Sequence, residues 1–214
     1  KHNNTPNSPM NTIVKIISPK IDLKRFFDGT DPSLVIKDLA EIGNIDSRDA
    51  LYIYPEGILP SINLNEIQDY SSVFGNYFQN NHKIIVGITR YKETEIFNSM
   101  AVLDNDLKLI SVYDKNKLVP FGEYLPFENF LKNYGFKKIT QGYQSFSSAS
   151  ERDLIKMNDT KFLPLICYEI IYSGGLYKYS DNYDFIINIS EDGWFGKSIG
   201  IDQHFYHSIF RSIE

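Results

Sequence analysis

Three apolar, strand-like runs in this chain each end on a residue able to take part in chemistry, which restricts the fold more than any other feature. Leu51-Tyr52-Ile53-Tyr54-Pro55 runs into Glu56, Val112-Tyr113-Asp114 into Lys115, and Phe162-Leu163-Pro164-Leu165-Ile166 into Cys167. An open α/β sheet builds its sites outside the ends of such strands. Cys167 is the sole cysteine, which excludes an internal disulfide. At the first turn of a following helix its thiolate would be favoured, and the same backbone N–H groups can bind an oxyanion. Taken singly, each residue has a plainer reading: a lone Cys is most often a small buried hydrophobe, and a strand-end charge is most often solvated.

The rest of the pattern fits a mixed α/β domain. Strands are expected at Thr12–Ser18, Ala50–Tyr54, Lys83–Thr89, Ser99–Leu103, Lys108–Asp114, Lys161–Cys167 and Phe185–Ser190, all rich in Ile, Val, Tyr and Phe. Helices are expected at Leu34–Ile42, Asn63–Asn80, Ile170–Tyr179 and His204–Ile213. The second has the clearest signal: Asn63 and Glu66 suggest a capping box, and Leu64, Ile67, Tyr70, Val73, Phe74, Tyr77 and Phe78 mark one apolar face that reads as core. Only Lys83 to Asp114 reads as consecutive strands, hence antiparallel neighbours in a mixed sheet. With 214 residues, 42% of them hydrophobic, the chain can bury one sizeable core. The net charge of −5, with no basic cluster beyond Lys137-Lys138, argues against a nucleic-acid partner. No run approaches the roughly 18 apolar residues of a membrane span.

Two further stretches stand out. In Lys115-Asn116-Lys117-Leu118-Val119-Pro120-Phe121-Gly122-Glu123-Tyr124-Leu125-Pro126, two prolines and a glycine flank Glu123, and a stiffened loop of this kind aims a side chain. In Asn188-Ile189-Ser190-Glu191-Asp192-Gly193-Trp194-Phe195-Gly196, acidic, glycine and aromatic residues end a strand as a pocket wall does. His204 and His207 have a spacing that can ligate a metal, with Asp202 nearby, but no third ligand motif accompanies them. They read as helix-surface or packing residues, and the chemistry calls for neither metal nor cofactor. A Gly-x-Ser-x-Gly elbow is missing, which removes the serine-hydrolase reading. A Cys-His protease pairing Cys167 with His204 is conceivable but lacks a matching local signature.

The order Glu, Lys, Cys resembles the triad of the carbon–nitrogen hydrolase (nitrilase) superfamily. Tyr54-Pro55-Glu56, Tyr113-Asp114-Lys115 with Leu118 to Pro126, Ile166-Cys167-Tyr168-Glu169-Ile170, and Asp192-Gly193-Trp194-Phe195-Gly196 followed by Gln203-His204-Phe205 resemble, more closely, the catalytic domain of the bacterial apolipoprotein N-acyltransferase family. That resemblance, from about Val14 to Glu214, implies an α-β-β-α sandwich, incomplete at the C-terminal end. It also implies acyl transfer from a phospholipid, through a cysteine thioester, to the N-terminal amine of a diacylglyceryl-modified apolipoprotein. By position Glu56 is the general base, Lys115 the oxyanion stabiliser and Cys167 the nucleophile. Glu123, Glu169 and Tyr168, through its backbone N–H, support them, and Phe121, Trp194 and Phe195 contact substrate. The family works at the cell inner membrane with this domain facing the periplasm. The membrane helices that anchor it there are absent from this chain.

Two residues depart from the family pattern: Gly57 replaces a small hydroxyl residue, and Glu191 replaces an Asn beside the pocket. Residues 1–11 are expected to be a polar linker and 12–214 the catalytic domain, truncated. Such a piece is expected to expose a strand edge and apolar surface. The competing readings are a soluble amidase of the same superfamily, in which water resolves the thioester, and a non-catalytic remnant of a split gene.

Overall fold

The computed structural model describes residues 12–19, 29–126, 145–157, 159–173 and 182–214. The elements in chain order are β1 (Ile13–Ile16), α1 (Pro32–Ile42), β2 (Ala50–Ile53), α2 (Ser71–Gly75), β3 (His82–Lys92), β4 (Glu95–Asp104), β5 (Leu109–Asp114), β6 (Ile155–Met157), β7 (Thr160–Ile166), β8 (Phe185–Ile189) and α3 (Gly200–Ile213). One sheet runs β1-β2-β3-β4-β5, parallel across its first three strands and antiparallel thereafter. The second runs β6-β7-β8, with β7 and β8 parallel.

Strand alternation sorts the side chains into layers. Tyr52, Ile84, Val86, Ala101 and Leu103 point from the large sheet into a core shared with Ile36 and Leu39 of α1 and Phe74 of α2. Their neighbours Leu51, Ile53, Ile85, Met100, Val102 and Tyr113 face the other way, onto Ile155, Phe162, Ile166, Ile187 and Ile189 of the small sheet. Leu163 and Leu165 pack on the outer side of the small sheet with Ile170. Two sheets thus lie face to face, with helices over the outer face of the larger.

The Asn63–Asn80 helix does not form as one element. Asn63 instead bridges to Thr89, and the Leu64 N–H donates to the Thr89 carbonyl at 2.8 Å, drawing this stretch onto β3. The Asn63 side chain accepts from the Asn65 N–H in a local turn (3.0 Å). A 3₁₀ turn at Ile67–Tyr70 and the short α2 follow. The apolar face is core all the same: Leu64, Ile67, Phe74 and Phe78 are buried. The expected helix after Cys167 is a 3₁₀ turn, Cys167–Ile171, and residues 174–179 of that expectation lie outside the described residues. The polar tract 1–11 and Lys137-Lys138 lie outside them too. The β3–β4 hairpin is longer than its apolar runs suggest, because polar Arg90 to Lys92 pair with Glu95 to Phe97.

Candidate active site

Glu56 reaches its place because the chain stays against β3 after β2 ends. The Tyr54 N–H donates to Ile85 O (2.8 Å) and the Gly87 N–H to Pro55 O (3.2 Å). A Cβ on Gly87 would stand 2.4 Å from Glu56 Cα and 2.9 Å from Gly57 N, so only glycine lets the two backbones pass this closely. Gly57 itself has φ +61, a left-handed turn that suits glycine better than the hydroxyl residue of the family pattern.

Lys115 extends β5 by one rung, its N–H bonded to Asn98 O at 2.8 Å, and its side chain is only 1% exposed. Nζ lies 3.0 Å from Glu123 Oε1 and 3.7 Å from Glu56 Oε1. The Asn98 Nδ2 group donates to both carboxylates, at 2.7 Å to Glu56 and 2.8 Å to Glu123. Burial opposes the ammonium charge, but Glu56 and Glu123 outweigh it and hold the Lys115 pKa above its usual value. The loop from Leu118 folds back to seat Glu123: the Val119 N–H donates to Glu123 Oε2 (2.9 Å), the Glu123 N–H to Val119 O (2.9 Å), and the Phe121 N–H to Tyr124 O (2.8 Å).

Cys167 follows the last residue of β7 and has φ +52, a left-handed conformation that a side-chain-bearing residue rarely holds. Pairing of Ile166 with Ile189 brings Ser190 alongside the thiol, and its hydroxyl donates to Asp192 Oδ1 at 2.5 Å. Burial pushes the thiol pKa up, Glu56 pushes it further, and Lys115 and Ser190 only partly counter them. The sequence expectation of a favoured thiolate is therefore corrected. The turn after Cys167 is a single short 3₁₀ turn, and the loss of water dominates.

Glu169 is fully buried. Its carboxylate accepts from the Tyr113 hydroxyl (2.8 Å), the Asn116 and Lys117 N–H groups (3.1 and 2.9 Å), the Ile166 N–H (3.0 Å) and Arg152 Nη2 (2.6 Å). It thereby ties the strand end that carries Lys115 to the one that carries Cys167. The Glu191 N–H donates to Glu56 Oε2 at 3.2 Å, while its side chain accepts from the Gly193 N–H at 3.1 Å. The charge that replaces the family's Asn thus caps a turn.

Glu56, Lys115, Glu123 and Cys167 form one electrostatically coupled group, and Glu169 braces it. Tyr168 and Phe195 both lie against the His204 ring, with centroids 6.0 and 5.8 Å away, while Trp194 and Phe121 are exposed at the surface. His204 Nε2 meets the Cys167 carbonyl oxygen (3.0 Å), which is not the thiol contact of a Cys-His protease. Sequence reasoning missed Asn98, Arg152 and Gly87. A lone Asn inside the apolar β4 run and a glycine inside β3 were available signals for two of them. An isolated Arg carries no such signal.

A glutamate, lysine and cysteine delivered by strand ends between two facing sheets define a class, and residues 77–214 match the carbon-nitrogen hydrolase family: the chain belongs to it. It is 32% identical over 215 residues to the apolipoprotein N-acyltransferase of Rhizobium rhizogenes, an alignment covering 94% of this chain and 40% of that protein. The corresponding enzyme of Agrobacterium fabrum is 30% identical, with the same coverage of both chains. The chain thus spans about two-fifths of the length of these relatives. Among solved structures, a carbon-nitrogen hydrolase from Helicobacter pylori superposes with TM-score 0.56 at 11% identity, covering 92% of this chain and 68% of that one. A mutant amidase of the nitrilase superfamily from Nesterenkonia gives 0.54 at 11% identity, covering 88% and 71%. These two establish the nitrilase-like fold.

Proposed function

We propose that this chain supplies the catalytic centre of an apolipoprotein N-acyltransferase. The observation that carries the reading is the Glu56–Lys115–Glu123 cluster coupled to Cys167, in a chain aligned over 94% of its length with proteins of that name. In the first half-reaction the Cys167 sulfur attacks the ester carbonyl carbon of a phospholipid while Glu56 takes the thiol proton. The carbonyl oxygen becomes an oxyanion facing Lys115 Nζ and the Tyr168 N–H. Collapse breaks the ester C–O bond, Glu56 returns the proton to the departing lysophospholipid oxygen, and a thioester remains. In the second, the α-amine of a diacylglyceryl-cysteine attacks the thioester, Glu56 accepts its proton, and the thiol leaves reprotonated. The net change is ester plus amine to amide plus alcohol.

A thiol held protonated suits this scheme, because attack then proceeds only as Glu56 removes the proton. Glu123 keeps Lys115 directed at the site, Glu169 fixes the two strand ends, and Phe121, Trp194 and Phe195 offer apolar surface to acyl chains. Among the described residues no helix is long and apolar enough to cross a membrane. The reading therefore takes its inner-membrane location, with the site on the periplasmic side, from the family resemblance alone, and needs neither metal nor cofactor. It assigns residues 12–214 to the catalytic domain.

The test is mass spectrometry of the full-length protein mixed with phospholipid and no acceptor. An acyl mass on the Cys167 peptide, absent from Cys167→Ala, is expected. Equal labelling of the variant would sink the reading. Rapid hydrolysis of the thioester by water, with no transfer to a lipopeptide amine, would favour the amidase alternative.

A further inference from the structure

His204 is 4% exposed and has an acceptor on each ring nitrogen: Asp192 Oδ1 lies 2.8 Å from Nδ1, and the Cys167 carbonyl oxygen 3.0 Å from Nε2. A neutral imidazole carries one N–H and can donate to only one of them, so both contacts are hydrogen bonds only in the imidazolium. The Tyr168 and Phe195 rings hold the ring plane from its sides. The Cys167 carbonyl belongs to the same trans peptide as the Tyr168 N–H, so anchoring the oxygen fixes the direction of the hydrogen. That anchor matters at a residue with φ +52, a conformation that persists only where its surroundings over-determine it. Asp192 also accepts from Ser190 Oγ at 2.5 Å, which ties the turn after β8 to the end of its own strand.

We propose that charged His204 is a positioning residue of the reaction: held by Asp192, it locks the Cys167–Tyr168 peptide so that the Tyr168 N–H is aimed at, and polarised toward, the oxyanion of both tetrahedral intermediates. The proposal rests on the acyl-transfer reading above and adds to it the pair that orders its backbone donor. Hydrogen bonds in series strengthen one another, and a charged donor on the carbonyl increases the acidity of the N–H across the same peptide. Electrostatics agree in sign. Burial opposes the His204 charge, but Asp192 and the Cys167 carbonyl raise its pKa above 6.5, and the His204 bond lowers that of Asp192 against the effect of burial. The groups facing the ring are Asp192 from the turn after β8, Glu56 from the end of β2, and Cys167 and Tyr168 from the turn after β7. Asp202 and His207 share its helix.

The experiment compares two reactions of Cys167 in the full-length protein: single-turnover acylation by a phospholipid in detergent micelles, which needs the oxyanion site, and alkylation by iodoacetamide, which does not. His204→Ala is expected to slow acylation about a hundredfold, as loss of an oxyanion donor does, while alkylation stays within about threefold. His204→Gln, whose amide nitrogen can still donate to the Cys167 carbonyl, should recover at least about tenfold of that loss. The acylation rate of wild type relative to His204→Gln should fall as pH rises through the raised His204 pKa, because the imidazolium loses a proton and the glutamine cannot. Should His204→Ala fail to fold, Asp192→Asn serves: it should move that alkaline fall to lower pH. Acylation by His204→Ala at the wild-type rate, alkylation falling in parallel with acylation, or an alkaline fall unmoved by Asp192→Asn would each overturn the proposal. Wild-type protein that is alkylated at Cys167 yet forms no thioester would overturn the acyl-transfer reading itself, and this proposal with it.

Discussion

At Cys167 the balance of charges works against the thiolate, since burial removes water and Glu56 adds a negative neighbour, while Lys115 and Ser190 pull the other way. Base and nucleophile are thus opposed electrostatically and linked chemically, and one substitution separates the two effects. Glu56→Gln should speed alkylation of Cys167 by iodoacetamide at neutral pH, because the thiol pKa falls, while acyl transfer drops by about a hundredfold or more. Lys115→Met should slow both. If Glu56→Gln slows alkylation as well, proton removal by Glu56 outweighs its effect on the thiol pKa even toward a small alkylating agent. Arg152 and Glu169, with side chains 5% and 0% exposed, form a buried pair of another kind. Arg152→Met leaves the Glu169 charge without its main partner. It should destabilise the fold by about 3–5 kcal/mol, read from the denaturant midpoint at constant m-value.

Elements matter here through where they stop. β2, β5 and β7 each present a reactive side chain at or shortly beyond the strand's C-terminal end, where the backbone can leave the sheet and a side chain can reach the site. β3 contributes by having no side chain at Gly87. Gly87→Ala should displace the Glu56 backbone, cost about 1–3 kcal/mol by overpacking, and lower transfer more than it lowers the melting temperature, because the strain falls on the base. Unchanged transfer would show that Glu56 tolerates the shift. α3 is pinned at its start by His204 and Asp192. The raised His204 pKa adds stability below about 6.5 that is lost as pH rises through the folded value, and the lowered Asp192 pKa adds stability above about 3.8 that is lost as pH falls through its own. Docking of α3 should therefore be firmest between those limits, and hydrogen exchange of its amides should speed up on either side in wild type but far less in Asp192→Asn.

Across the whole molecule the two sheets part along one side, where a groove of about 1020 Å³ opens between β1, β2 and β8 beneath α3. Val14 and Ile16 on β1 and Phe205, Ile209, Phe210 and Ile213 on α3 are exposed nearby. Apolar surface of this kind beside an edge strand favours association. The 214-residue chain alone should sediment as oligomers that Phe205→Glu combined with Ile209→Glu reduces, and a monodisperse monomer would refute this. The sequence by itself determined the strand ends that carry Glu56, Lys115 and Cys167, the stiff loop around Glu123 and the resemblance to a family, because alternation, proline and glycine act through local backbone geometry. The tertiary structure alone decided that Asn63 pairs with Thr89 instead of capping a helix, that Asn98 bridges two carboxylates, that Arg152 neutralises Glu169, and that the thiol is held protonated. Each of these depends on groups far apart in sequence meeting where water is excluded. There a hydrogen bond or a charge is strong enough to overrule local preference.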